Sequence, residues 1–461
     1  MDNRVIRIVK NKIYYIPVCY CVIAIILAIA VIILDNKFVE LLSDYIPFYL
    51  FVSEDLAKTI LSTLAGSLFG MVTISFSTIM VVLTMYSSQF SPRTMQDFLR
   101  DKVTLNVLGV FIGGFIYILL NLLLLQKSNE STIILSVDLS VVIAIICLGY
   151  FVFFIHHVAN SVQVDFLIEK LRDEVIDSIE IIEKRNNKDD RIRNKPSENI
   201  LELTTGRSQV VYANQSGYIQ CYYPVKLAQY ADRMDVFIQA EKRIGKYVTE
   251  NSRIFTIWQY RKSKLNNIDR DNDVDRKIII EDFNEIYNYI DIGKERKKKN
   301  DIEFGLLKLT EVALKAISPG INDQNTAVFC INQSGWILSK IAISNLENTY
   351  YYNNKDELCF IKEDIVFSEL LYKTFYQLRL YGRQDYSITG AILDALLIIA
   401  EGSPNYIKKI VWEYAIDTMN GFDKKVLENT DKKYLNRKIY ILACETDRDP
   451  EEAPDFFKIN D

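Results

Sequence analysis

The chain has 461 residues, 49% of them hydrophobic and 25% charged, which is enough for a membrane bundle and one to three soluble units. A net charge of -5 and a pI near 5.5 argue against a nucleic-acid partner, which would require a basic face. Of the cysteines, Cys19, Cys21 and Cys147 lie in apolar stretches. Cys221, Cys330, Cys359 and Cys444 have neither metal-ligand nor disulfide-framework spacing, as suits a reducing cytosolic location for the soluble part.

Apolar residues crowd the first third of the chain and charges crowd the rest. Ile13–Leu34 is an almost charge-free run, and at about 1.5 Å per residue it covers the roughly 30 Å hydrocarbon core. It is too long for a signal-peptide core and reads as an uncleaved signal anchor. Ile60–Tyr86, Val103–Leu125 and Leu139–Ile155 are the next spans, so residues 1–157 are expected to form a four-span bundle. Arg4, Arg7, Lys10 and Lys12 precede the first span, and Arg93, Arg100 and Lys102 lie between the second and third. Positive residues stay on the cytoplasmic side. The acidic Asp35–Asp55 loop, with one Lys37, and the Lys127–Asp138 loop then face outward, and both termini face the cytosol. The expected location is the bacterial inner membrane.

In the second span Thr59, Thr63, Gly66, Gly70, Thr73, Ser77, Thr84 and Ser88 recur at steps of three, four or seven, which places them on one helix stripe. Gly66-xxx-Gly70 and Gly109-xxx-Gly113 have the small-xxx-small form that lets helices approach closely. The stripe therefore reads either as a packing seam or as the lining of a water-filled path in a homo-oligomer, where hydroxyls would meet ions or a small solute. Asp138 reads as a carboxylate solvated at the interface or as one that attracts cations at an outer mouth. His156 and His157, the only histidines, close the fourth span on the inner side. With ordinary pKa values near 6.5 they suit pH sensing or interfacial hydrogen bonding. Adjacent helix positions point about 100° apart, so one metal ion does not readily take both.

From Val158 to Ile182 a helical period continues, so residues 158–200 are expected to hold an amphipathic stalk that runs on from the last span, followed by a polar linker. Gln209–Tyr212, Gly217–Tyr222, Met234–Gln239 and Arg253–Trp258 are strand-like, and residues 201–260 suggest a small β-barrel-like module. No lysine motif of the kind that carries a lipoyl or biotinyl group stands at the Ile244–Val248 tip. Residues 261–446 read as a helical domain with helices over Glu303–Ile317, from Asn322 or Asp323 to Ile343, and over Asp364–Tyr381, Tyr386–Glu401, Pro404–Met419 and Lys432–Cys444. The basic run Lys294–Lys299 reads as a solvated face or a contact for anionic lipid. Residues 447–461 form an acidic tail. The fold class expected is a membrane α-helical bundle followed by a cytosolic α+β region.

The chain lacks G-x-S-x-G, P-loop, H-E-x-x-H, paired C-x-x-C and dinucleotide signatures, and its two histidines leave the soluble part without the commonest general base. No cofactor, metal or enzyme activity is expected. Pro92 bends the chain below the second span, where Arg93 can meet lipid phosphate or a carboxylate. Ser318, Pro319 and Gly320 stop one helix and Asn322 and Asp323 start the next, forming a plain turn or a helix N-terminus that takes an anion.

Four stretches together resemble an uncharacterised bacterial family of predicted membrane proteins, domain of unknown function twenty-two fifty-four. They are Ser87-Ser88-Gln89-Phe90-Ser91-Pro92-Arg93, Ile155-His156-His157-Val158-Ala159, Gly217-Tyr218-Ile219-Gln220 and Ser318-Pro319-Gly320-Ile321-Asn322-Asp323. The family pattern continues the last motif with proline, where this chain has Gln324-Asn325 before Thr326-Ala327. The resemblance implies the architecture rather than a substrate. The leading expectation is an oligomeric channel or pore in the lipid bilayer, lined by the second span and gated or assembled by the cytosolic domain. The alternatives are a non-conducting scaffold or sensor, and an enzyme with carboxylates converging near Asp301, Glu303, Asn322 and Asp323.

Overall fold

The computed structural model describes residues 15–42, 53–125, 135–189, 191–193, 196, 200–204, 208–259, 283–297, 301–344, 346, 348–363, 365–423 and 428–449. The N-terminal cations Arg4, Arg7, Lys10 and Lys12, the loop charges Asp44, Lys127 and Glu130, the end of the Lys294–Lys299 run and the tail beyond 449 lie outside these residues. Contacts divide the chain into two compact units, Met1–Leu167 and Ile168–Asp461.

The first unit is helical. Helices α1 (Tyr15–Leu42), α2 (Glu54–Met85), α4 (Lys102–Leu125) and α5 (Leu135–Ser161) carry the long apolar runs. Among the described residues, four helices are long and apolar enough to cross a membrane: Tyr15–Asp35, Glu54–Phe90, Lys102–Leu124 and Ser136–Ser161. Such lengths exceed what about 30 Å of hydrocarbon needs. Much of their surface is left uncovered by the described residues, since bulky side chains such as Ile26, Met80, Val81, Leu123 and Val152 are exposed. Gly109 and Gly113 set the closest approach: a Cβ at Gly113 would lie 3.2 Å from the Tyr20 carbonyl oxygen, so α1 and α4 touch through backbone. After α2 comes one π-helical turn, Tyr86–Phe90, then Ser91 and the short helix α3 (Pro92–Leu99). The Ser91 hydroxyl accepts from the Arg93 backbone N–H at 3.1 Å, and Pro92 stands at the first helical position, where its missing N–H costs nothing.

The expected uninterrupted stalk is corrected. Helix α5 ends at Ser161, Val162 and Gln163 form a turn, and α6 (Val164–Lys188) starts afresh. The amphipathic period continues across the turn, so periodicity alone could not show that the helical backbone bonds are interrupted.

The second unit takes in α6 from Ile168 onward, followed by β1 (Ile192–Arg193) and the short helix α7 (Ile200–Thr204), then β2 (Ser208–Tyr212), β3 (Gly217–Tyr222), α8 (Pro224–Met234), β4 (Val236–Ala240), β5 (Tyr247–Val248) and β6 (Arg253–Gln259). Further along come β7 (Ile290–Gly293), β8 (Asn348–Tyr352) and β9 (Leu358–Glu363). The expected barrel-like module is not confirmed: among the described residues the strands form an open six-stranded sheet, ordered β1-β8-β9-β4-β6-β2, and a three-stranded sheet, β5-β3-β7. Strand β4 explains why. Val236, Phe237 and Ile238 are all buried, so it needs a neighbour on each edge. Strand β6 supplies one antiparallel edge, and β9 supplies the other in parallel, pairing Ile238 with Phe360. Strands β7, β8 and β9 lie within the stretch expected to be helical, so that expectation is corrected for residues 290–293, 348–352 and 358–363. Leu227, Ile238, Phe255, Ile257 and Phe360 share one core.

The remaining helices are α9 (Ile302–Ala316), α10 (Gln324–Ser344), α11 (Phe367–Tyr381), α12 (Tyr386–Ala400), α13 (Asn405–Asn420) and α14 (Asn429–Glu445). Gly335 lets α10 cross α12 closely, because a Cβ there would meet the Ala395 Cβ at 2.7 Å. Asp385 caps α12 by accepting from the Ser387 and Ile388 N–H groups.

Candidate functional site

The small and hydroxylated stripe runs along one face of α2. At about 100° per residue it lies opposite Ala57, Leu61, Ala65, Leu68, Ser75, Ile79 and Val82, which are buried against the rest of the first unit. Thr59, Thr63, Gly66, Thr73, Ser77, Thr84 and Ser88 are exposed and Gly70 is partly so. A Cβ added at Gly66 or Gly70 would meet nothing within 4 Å among the described residues. The stripe is therefore not a seam between the described helices of this chain.

Its hydroxyl hydrogens are turned inward. Thr59 donates to the Asp55 carbonyl at 2.8 Å, Thr63 to Thr59 at 2.8 Å, Thr73 to Phe69 at 2.9 Å and Thr84 to Met80 at 2.9 Å. Each oxygen keeps its lone pairs for outside, so the face presents hydrogen-bond acceptors. Phe69, Phe76 and Met80 flank it on one side and Leu56, Ile74 and Val81 on the other, all of them exposed. At the head of the stripe Thr59 borders an open cleft of about 640 Å³, lined also by Lys58, Ser62 and Leu119, Leu120, Leu122 and Leu123 of α4.

Residues flanking two of the resemblance motifs, Tyr86 and Ser161, meet at one end of the bundle. The buried Tyr86 hydroxyl donates to the Ser161 carbonyl at 2.6 Å, and its ring packs edge-on against Phe90 and tilted against Phe98. His157 Nε2 lies 2.9 Å from Asp101 Oδ2, and Ser161 donates back to the His157 carbonyl at 2.7 Å. His156 is on a different face, 3.2 Å from the Asn160 carboxamide, so the two histidines do not converge. Arg93 is exposed. Among the described residues no group of three or more His, Cys, Asp or Glu side chains gathers to hold a metal. Tyr86, Asp101 and Ser161 were not singled out from sequence, since a tyrosine or serine in a span carries no signal until its partner is known.

At the opposite end Asp138 lies half-buried in the first turn of α5. The buried Asp35 Oδ2 accepts the Ser136 N–H at 3.0 Å and caps that helix.

In the second unit Ser318–Asp323 is a tight turn. Asp323 N–H donates to the Ala316 carbonyl, and Asn322 has a left-handed φ of 56°. Asp323 caps α10 by accepting from the Thr326 N–H at 3.1 Å and hydroxyl at 2.6 Å. Pro319, Gly320 and Asn322 are exposed. Asp301 and Glu303 belong elsewhere, in an ion-pair network: Arg296 grips Asp301 at 2.8 and 2.9 Å, and Lys373 reaches Glu303 at 3.1 Å and Glu369 at 2.5 Å. Arg243 and Lys246 also pair with Glu369. The hydrogen bond from Lys373, helped by Arg243, holds the Glu369 carboxyl down at about 2. Burial, together with the neighbouring Lys373, pulls the Lys246 ammonium below its ordinary value. The adjoining cavity measures about 30 Å³, room for a water molecule. The convergence of Asp301 and Glu303 with Asn322 and Asp323 is corrected: the network and the turn are separate places.

Residues 10–397 match the family described as "Predicted membrane protein (DUF2254)". The chain is 24% identical over 348 residues to uncharacterized proteins of Mycobacterium tuberculosis (strains CDC 1551 / Oshkosh and H37Rv) and Mycobacterium bovis, covering 75% of this chain and 64% of each relative. It thus spans just under two-thirds of the length of these curated relatives. No solved structure matches. With the match running from the first span into α12, the chain belongs to the DUF2254 family of predicted membrane proteins.

Proposed function

We propose that this protein is an oligomeric channel or pore of the bacterial cytoplasmic membrane, lined by α2 and assembled or gated by its cytosolic region. The observation that carries this reading is the open face of α2. Hydrocarbon gains nothing from glycines and threonine oxygens, whereas a second copy or a column of water does. A face of outward lone pairs favours cations over anions, and the exposed Asp55, one turn before Thr59, adds negative charge at its head. In this reading the stripe end with Asp138 faces outward, both termini are cytosolic, and neither cofactor nor catalysis is involved. The open Gly66 and Gly70 positions also favour a second reading, a non-conducting scaffold or sensor that dimerises through the same face.

Single-channel recording on purified protein in planar bilayers separates the two. Wild type is expected to conduct, and Thr73→Phe and Ser77→Phe, shown by cross-linking to keep the oligomeric state, to reduce conductance several-fold. Silent bilayers from folded wild type across voltage, pH and salt overturn the channel reading and leave the scaffold.

A further inference from the structure

The turn at Val162–Gln163 interrupts a helix in a stretch where the sequence holds no breaker. From Phe151 to Lys188 there is neither proline nor glycine. Phe154, Ser161, Ile168, Val175 and Ile182, all buried, stand seven apart on both sides of the turn without a change of phase. A seven-residue period is one stripe of a continuous helix. A helix without proline or glycine breaks where a side chain inserts into its backbone ladder. Here that side chain is Tyr86, the first residue of the π-helical turn that ends α2. Its hydroxyl donates to the Ser161 carbonyl at 2.6 Å, and both residues are 4% exposed. In a continuous helix that carbonyl belongs to the Asp165 N–H. The neighbouring bonds shift with it. Val162 N–H still reaches the Val158 carbonyl at 3.1 Å, but Gln163 N–H donates to Asn160, three residues back, and Leu167 N–H restarts the ladder from Gln163. One turn before the break His157 lies 2.9 Å from Asp101, so α5 is anchored up to the point where the helix stops.

We propose that the α5–α6 junction is a two-state switch operated by Tyr86. In the bent state, which the structure holds, the Tyr86 hydroxyl replaces the Asp165 N–H as donor to the Ser161 carbonyl. In the other state Tyr86 lets go, Ser161 accepts from the Asp165 N–H, and the two helices run through as one along the seven-residue stripe. Each state satisfies the carbonyl that the other would leave without its donor, which is what makes the element bistable rather than continuously deformable. Tyr86 belongs to the end of α2, and α6 carries the chain on into the second unit from Ile168. The course on which the chain leaves the bundle therefore depends on the end of α2. The switch needs neither a pore nor a second copy, and it stands whichever reading of the open α2 face holds.

Amide hydrogen exchange of the full-length protein in detergent micelles tests this, read by mass spectrometry on peptides covering Ser161–Ile168. The N–H groups that open a helix have no partner within it, so in wild type the Val164, Asp165 and Phe166 amides are expected to exchange fast. Tyr86→Phe should slow them at least tenfold, because without the hydroxyl the continuous helix is the better bonded state. A hydrogen bond of merely structural value would speed exchange on removal. Val162→Ala combined with Gln163→Ala raises helix propensity with Tyr86 in place, should slow the same amides, and covers the case in which Tyr86→Phe does not fold. Val164→Pro suits the first position of α6 but not a helix interior, so adding it to Tyr86→Phe should return Asp165 and Phe166 to fast exchange. Protection of these amides already in wild type, unchanged or faster exchange in whichever of the two slowing variants folds, or slowing that survives Val164→Pro overturns the proposal.

Discussion

Two glycine pairs with the same spacing meet opposite circumstances. On α4, a Cβ at Gly109 would run into the Tyr20 ring and one at Gly113 would lie 3.2 Å from the Tyr20 carbonyl oxygen. On α2, Gly66 and Gly70 meet nothing within 4 Å among the described residues. The spacing says that a helix can be approached closely; it does not say by what. One pair is used up inside the chain, and the other belongs to a face that the described residues leave uncovered.

The sharpest way to break this contrast is to fill both pairs. Gly113→Leu should destabilise the bundle by about 3 kcal/mol, because the new side chain must displace backbone. Gly66→Leu should change the stability of one chain by less than about 0.5 kcal/mol, and should keep cross-linking between copies while lowering conductance if the face lines a pore, or abolish cross-linking if copies pack through it. Denaturation in mixed micelles reads the first effect and cysteine cross-linking the second; equal stability losses would erase the distinction.

Contacts closed within the chain should also show smaller costs. Tyr86→Phe removes the hydrogen bond to the Ser161 carbonyl and should cost about 1 kcal/mol without changing cross-linking. Asp323→Ala removes the α10 cap and should also cost about 1 kcal/mol, read by thermal unfolding.

The ion-pair network gives the smallest and most conditional effect. The folded carboxyl of Glu369 sits near 2, below its ordinary 4.5. A carboxyl depressed in the folded state adds stability that is full above about pH 4.5 and is lost as the pH falls towards 2. Unfolding followed between pH 6 and pH 3 should therefore show acid destabilisation that Glu369→Gln makes shallower, while the α2 stripe variants leave it unchanged. Partial exposure of Glu369 screens the pair and keeps the effect modest.

Elements whose signal is local were legible in the sequence. The four apolar runs, the strands at Gln209–Tyr212 and Gly217–Tyr222, and the helices at Glu303–Ile317 and Tyr386–Glu401 reappear within a few residues as α1, α2, α4, α5, β2, β3, α9 and α12. A cap at Asn322 or Asp323 was also readable, because a cap acts over three residues, and the structure gives it to Asp323. Strand β9 was not: Leu358–Ile361 is a short, continuous apolar run that periodicity assigns to neither helix nor strand, and it becomes a strand because β4 has a vacant parallel edge.

The candidate sites divide in the same way. Helical periodicity placed Thr59, Thr63, Gly66, Gly70, Thr73, Ser77 and Thr84 on one face, because residues three, four or seven apart coincide in any α-helix. Only the packing decided that this face lies opposite the residues buried against the rest of the first unit, that Asp101 belongs to His157, and that Asn121 and Tyr117 are buried. The sequence by itself determined which stretches span, which form regular elements and which side chains share a face. The tertiary structure decided which of those faces are occupied, since occupancy depends on residues tens of positions away that only the folded chain brings within reach.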